Sequence, residues 1–374
     1  MNCSKDETHL VLTQHSALST QHSAFSTLLL FAVNYQLCAM SAYRWTWLDE
    51  FCLWYPPGWL ILLNRHWQHY HADPDGWNGL EYFLFLLPGG FYLAVLIRWL
   101  RLGCRLPRQH LTEFDPNYQQ AFRDEVLSAI AQRYFRAQLH QSEHLPQTGP
   151  LIIAMNHAGM CFPWDFLNLA YLLGQERNWQ VHPLAEVSLF EHPWVIWWLP
   201  VGWSQVLGGV QAKPEDFEAA VAHQTILLYA PEGLRGPQKG WLQRYQLQTF
   251  HPSFVQLSDR YQIPILPVIC QGSEFLHPWT LNIQPLANLF QLPFLPVSLL
   301  MLAFLLFPSM GVWAMRSRLQ YSIQPPEPPE SLPKNRTNAY RRAQNLREKL
   351  QNQLLSCKET GKISSDPKSK VKLF

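Results

Sequence analysis

Residues 151–165 read LIIAMNHAGMCFPWD, and this stretch constrains the fold more than any other. Leu151 to Met155 is an unbroken apolar run of the length of a buried strand. It stops at Asn156-His157, and a loop through Ala158 and Gly159 follows. Pro163 then suits the first position of a helix, where its missing N–H costs nothing. A histidine therefore sits at the carboxyl end of a strand, with the carboxylate of Asp165 in the first turn of the next helix. Thr225–Tyr229 and Ile263–Cys270 are further buried strands, the prolines of the second suggesting an edge or a bulge. Tyr134–Leu139, Gln180–Leu184 and Leu319–Ile323 add shorter strands, and Gly202 to Gly209 reads as a turn-rich strand region. Helical patterns occupy Asp115–Gln138, Trp164 to about Leu173, and a short segment opening at Lys213-Pro214-Glu215-Asp216. The pattern predicts an α/β fold with a mixed, largely parallel central sheet flanked by helices. Sheets of that kind bind their ligands at the carboxyl ends of the strands.

Composition adds lipid to this picture. Hydrophobic residues make up 48% and charged residues only 15%, below the usual share of about a quarter. Abundant Trp, Phe and Tyr favour a membrane interface. A net charge of +2 gives no field that would draw in nucleic acid. Seven scattered cysteines without a CxxC pair fit reduced thiols rather than a disulfide framework.

Four regions are expected. Residues 1–39, where QHSALST is followed at once by QHSAFST, form a disordered or mis-assigned extension, with Met40 as the expected start. Residues 40–110 form a membrane-interacting region. It is Trp-rich at first and then carries Tyr82–Ile97, 16 uncharged residues broken by Pro88-Gly89-Gly90. That is shorter than the ~20 residues of a spanning helix. An in-plane or re-entrant helical hairpin fits, with Arg98, Arg101, Arg105 and Arg108 at the headgroups; the alternative is a buried pair of core helices. His66, His69 and His71 lie near Asp73 and Asp75, but a paired His-His and a second histidine box are absent, and no metal is expected. Residues 111–330 form the main domain. Its insertion 275–315 lacks any Asp, Glu, Lys or Arg, and its prolines argue for broken helices in or on the bilayer. Residues 331–374 form a polar helix and a basic tail that adds attraction to anionic lipid. The expected location is the cytoplasmic face of a membrane.

Two chemical sites stand at strand ends, Asn156-His157 with Asp165, and Glu232-Gly233-Leu234-Arg235. Histidine is the natural general base near neutral pH, and a carboxylate can fix its tautomer. An arginine beside a glycine suits an anionic headgroup, because its guanidinium can fork onto phosphate oxygens. A base, a phosphate clamp and membrane-seeking segments together suggest chemistry on a phosphorylated lipid.

On these residues the sequence resembles the glycerol-3-phosphate and lysophospholipid acyltransferase superfamily. Asn156-His157 with Asp165, Pro231-Glu232-Gly233-Leu234-Arg235, and the strand Ile263–Val268 with Pro267 stand in that family's order, over residues 118–330. The lead-in Glu143-His144-Leu145-Pro146 to Gly149-Pro150 is similar as well. The family spaces its His and Asp by four residues; here seven intervene, and Phe162 occupies the usual acid position. Counting from Gly202 places Gly208 where the family has a second-motif arginine. The resemblance implies acyl transfer from a thioester on coenzyme A or acyl carrier protein, with no cofactor. His157 would be the general base and Asp165 its orienting partner. Asn156, Glu232, Gly233 and Arg235 would bind an acceptor such as a lysophospholipid. Two rival readings remain. Cys161, four residues from His157, could form an acyl-enzyme and make the chain a thioesterase or a ping-pong transferase. The lengthened His–Asp spacing could instead mark an inactive lipid-binding protein.

Overall fold

The computed structural model describes residues 42–360 apart from 110, 112, 158–161, 186–194, 291, 293–294, 299 and 332–335. The expectations for residues 1–39, for Cys161 and for the tail 361–374 lie outside the described residues.

Seven strands form the central sheet. From one edge to the other they are β1 (Gln138–His140), β9 (Gln320–Ile323), β6 (Ile265–Gln271), β2 (Leu151–Met155), β5 (Ile226–Tyr229), β3 (Val181–Ala185) and β4 (Val210–Gln211). The five strands from β6 to β4 run parallel; β9 pairs antiparallel with β6 and parallel with β1. The sheet is thus mixed and largely parallel. A second, two-stranded sheet pairs β7 (Leu281–Asn282) with β8 (Pro296–Val297). β2 is central, with β5 and β6 as its neighbours, so the carboxyl ends of these three strands meet at one edge.

Every residue of β2 is buried, and its side chains alternate between two cores. Leu151, Ile153 and Met155 face a layer containing the helices Trp59–Tyr70 and Trp164–Arg177. Ile152 and Ala154 face the helices Pro214–Ala222, Ser253–Tyr261 and Arg336–Thr360. The last helix is polar in composition but buries Ala339, Ala343, Leu346, Leu350 and Leu354, one helical stripe. The result is a sheet between two helical layers, as expected of an α/β chain.

Several local expectations need correction. The first strand begins at Gln138, because the helix that Asp115 caps through the N–H groups of Asn117 and Tyr118 continues, with π-helical turns, to Phe135. Gly202–Gly209 is a one-turn helix, Trp203–Val206, and not a strand. The Cβ of any other residue at Gly208 would meet the His182 ring at 2.9 Å, so no arginine fits there. β6 is an interior strand despite its prolines. Ile265 donates its N–H to Glu327 on the β9 side, so the missing N–H of Pro267, two residues on, faces that same side beyond the end of β9. Pro163 precedes the helix Trp164–Arg177 as its N-cap, its carbonyl accepting from Phe166 and Leu167.

Gly79–Phe85 and Gly90–Arg101 form the hairpin that the Pro-Gly-Gly turn suggests. Its arginines do not all point outward to headgroups. Arg98 is buried 4.0 Å from the Trp77 ring centroid and donates to the Asp75 carbonyl. Arg101 pairs with Glu81 and Arg105 with Asp75. Exposed instead are the apolar side chains of Leu80, Phe83, Leu87, Tyr92, Leu93, Leu96, Trp99 and Leu100. Among the described residues no helix is long and apolar enough to cross a membrane.

Candidate active site

His157 leaves the carboxyl end of β2 two residues after the ladder. Its Nδ1 lies 2.7 Å from Oδ2 of Asp165, whose side chain is fully buried. The loop lengthened by three residues therefore returns the acid to the imidazole. Asp165 is fixed from behind. Its Oδ1 accepts the Phe166 N–H, and its carbonyl accepts the Tyr321 hydroxyl at 2.7 Å. Its place in the first turn of Trp164–Arg177 suits a negative charge. The Phe166 ring meets the His157 ring edge-on at 5.1 Å. His157 Nε2 has no hydrogen-bond partner among the described residues, and the ring lines a cleft of about 1640 Å³.

The remaining candidate residues divide into two groups. Asn156 and Glu232, expected to contact substrate, have their side-chain polar groups engaged within the protein. The Asn156 carboxamide is 2% exposed and both its ends are used: Nδ2 donates to the Cys270 carbonyl at 2.9 Å and Oδ1 accepts the Cys270 N–H at 2.7 Å. It ties β2 to β6 just past their ladder. The Glu232 carboxylate is buried against Lys239 Nζ at 2.7 and 3.0 Å and also accepts the N–H groups of Gln248 and His157. It braces the loop that carries His157. Gly236 allows this contact, since a Cβ there would meet the His157 carbonyl oxygen at 2.9 Å. Gly233 has a left-handed backbone, φ +55, with open space around it, so its role is conformational. Arg235 lies outermost on this turn; it is exposed, lines the cleft, and its guanidinium has no partner among the described residues.

Three residues near this centre were not legible as site residues. Lys239 is one. Glu274 and His277 are the others, on the turn leaving β6. Both are buried, and Glu274 Oε1 and His277 Nε2 have no hydrogen-bond partner among the described residues. Burial pushes the Glu274 carboxyl up to about 7, against the pull of the backbone N–H groups of Glu274 and Gly272 and of Lys239. Burial pushes the His277 imidazole down to about 4, against the nearby charge of Asp165. Their signal was positional: β6 borders β2, and its following turn ends at the same edge.

Among the described residues no three His, Cys, Asp or Glu side chains gather as a metal site. His66 is instead buried in a polar network, its Nε2 2.9 Å from Glu125.

Residues 136–271 match the Acyltransferase family model. Over those residues the chain is similar to that family. The matched stretch contains His157, Asp165 and Arg235 and ends with β6, so Glu274 and His277 lie just past it. Similar curated proteins include an uncharacterized protein of Mycobacterium tuberculosis, 29% identical over 189 residues, 50% of this chain and 51% of that protein. Another, from Mycobacterium leprae, is 30% identical over 188 residues, 50% of each chain. The chain spans about half the length of the curated relatives it matches. The crystal structure of the 1-acyl-sn-glycerophosphate acyltransferase PlsC from Thermotoga maritima aligns over 81% of this chain and 98% of its own. Its sequence identity is 15% and its TM-score 0.42.

Proposed function

We propose that this protein moves a fatty acyl group from an acyl thioester, carried on coenzyme A or acyl carrier protein, to a hydroxyl of a glycerolipid such as a lysophospholipid. The observation that carries this reading is the 2.7 Å contact between His157 Nδ1 and the buried Asp165 carboxylate. With Nδ1 so engaged, Nε2 is the nitrogen that takes the proton of an acceptor hydroxyl as it attacks the thioester carbon. Asp165 holds the tautomer and stabilises the imidazolium. Arg235, without a partner among the described residues, would bind the acceptor's anionic group. The close His157–Asp165 contact also removes the lengthened spacing as an argument for an inactive protein.

The lipid acceptor reaches the cleft from a membrane surface on this reading. The hairpin Gly79–Arg101 is joined to the helix Met301–Leu306 by hydrogen bonds from Gly89 N–H to the Leu306 carbonyl and from the Tyr92 hydroxyl to the Leu305 carbonyl. Exposed Leu93, Leu96, Leu302, Leu305 and Leu306 thus share one apolar surface, of a kind that marks a membrane or partner contact. We place it on the cytoplasmic leaflet.

The test is release of free thiol from palmitoyl-coenzyme A by purified protein, with and without a lysophospholipid. Acceptor-dependent release that falls at least ~10²-fold in His157→Ala is expected. Release that is equal without acceptor would make the protein a thioesterase, and full activity in His157→Ala would remove the base.

A further inference from the structure

We propose that His277 is a further catalytic residue, donating a hydrogen bond from Nε2 to the carbonyl oxygen of the bound acyl thioester. The inference rests on the acyl-transfer reading above and adds a group to its centre.

β6 lies beside β2 and runs parallel to it, so the turns leaving the two strands reach the same sheet edge. Asn156 locks the two strand ends together through Cys270. The turn after β6 starts with Gly272, whose left-handed backbone (φ +91) reverses the chain over the Arg318 carbonyl. His277 follows, 6% exposed, and lines the same cleft as His157. Its Nε2 has no partner among the described residues. A buried polar atom is costly to leave unpaired, and a ligand oxygen in the cleft would complete it.

The chemistry of the ring selects the ligand atom. Burial keeps the His277 imidazole neutral near pH 7. A neutral donor suits an uncharged carbonyl oxygen that gains negative charge only as the bond forms. An anionic headgroup is served instead by Arg235, at the end of β5 on the other side of β2. The three strand ends then divide the reaction. The acceptor oxygen attacks the thioester carbon and its proton passes to His157 Nε2. The carbonyl oxygen draws charge and is held by His277, which keeps its own proton throughout. The C–S bond breaks as the carbonyl reforms, and the leaving sulfur takes the proton back from His157. Nothing is oxidised or reduced.

The experiment uses two unreactive ligands on pantetheine, the arm common to coenzyme A and acyl carrier protein. One is S-(2-oxohexadecyl)-pantetheine, which keeps a carbonyl; the other is S-hexadecyl-pantetheine, which lacks it. Binding is read by tryptophan fluorescence, since Trp198 and Trp203 line the cleft. The wild type should prefer the ketone by about fivefold, the worth of one hydrogen bond. His277→Phe should show no preference, and His277→Gln, which keeps an N–H donor, should retain it. In turnover, His277→Phe should lower kcat about 10²-fold with little change in KM, and His277→Gln should recover part of that loss. An equal preference in wild type and His277→Phe overturns the assignment, as does a His277→Gln no better than His277→Phe; wild-type thiol release then still supports acyl transfer. Absence of thiol release by the wild type overturns both readings together.

Discussion

The buried pair Glu232–Lys239 offers the sharpest stability test, because it braces the loop that carries His157 and was not readable from spacing. The two charged groups lie 2.7 Å apart with side chains 0% and 2% exposed. At that separation and an effective dielectric near 20, their attraction is about 6 kcal/mol. Taking each ion out of water costs several kcal/mol, so the intact pair contributes little net stability. Removing one end is different, since it strands the other charge, typically at about 3–5 kcal/mol. Lys239→Met leaves Glu232 with the N–H groups of Gln248 and His157, which places the expected loss near the lower figure, about 3 kcal/mol. The assay is urea unfolding followed by tryptophan fluorescence, on Lys239→Met, Glu232→Gln and the double variant. The double variant should be at least about 2 kcal/mol more stable than the sum of the single losses implies, the coupling expected of contacting groups. A Lys239→Met loss below about 1 kcal/mol, additive with Glu232→Gln, would refute the pairing and the bracing role derived from it.

Three further outcomes follow from the same geometry. Arg235→Gln should raise KM for an anionic acceptor about tenfold or more, the worth of a charged hydrogen bond, with kcat little changed; an unchanged KM in steady-state assays would detach Arg235 from the acceptor. Glu274 makes stability fall as pH rises. Below its ordinary value of 4.5 the carboxyl is protonated in folded and unfolded chains alike, between 4.5 and about 7 only the folded chain keeps the proton, and above 7 the full cost is present. From 4.5 to about 7, at about 1.36 kcal/mol per pH step, that cost is about 3 kcal/mol; Glu274→Gln should therefore gain stability over wild type between pH 5 and pH 8, and identical urea midpoint shifts at both pH values would contradict it. Leu93→Glu with Leu305→Glu should weaken co-sedimentation with phosphatidylglycerol vesicles by at least about tenfold without lowering Tm, and unchanged partitioning would remove that surface as the membrane contact.

What could be read from sequence was whatever local pattern controls. β2 was visible because a strand buried on both faces must be apolar throughout, and the His157–Asp165 pair because a strand end and a helix start bracket it. The hairpin was visible because Pro88-Gly89-Gly90 cannot continue a helix. Hidden features depend on strand order or on distant partners. Pro267 looked like an edge signal because nothing local tells that β9 ends before reaching it. Glu232 looked like a ligand for substrate because Lys239 gives no sign of folding back onto it. Arg98, Arg101 and Arg105 looked like a headgroup fringe because Asp75 and Glu81 lie a helix away. His277 was passed over inside a stretch without formal charge, where the apolar composition pointed to lipid; only the adjacency of β6 and β2 brings it to the cleft that His157 also lines.

Single-turnover thiol release from palmitoyl-coenzyme A with a lysophospholipid acceptor, measured for wild type, His157→Ala, Asp165→Asn and the double variant, addresses the central claim. Because Asp165 acts through the His157 ring, each single change should cost at least ~10²-fold and the double change little more than His157→Ala alone. A fully active Asp165→Asn, or losses that multiply in the double variant, would contradict it.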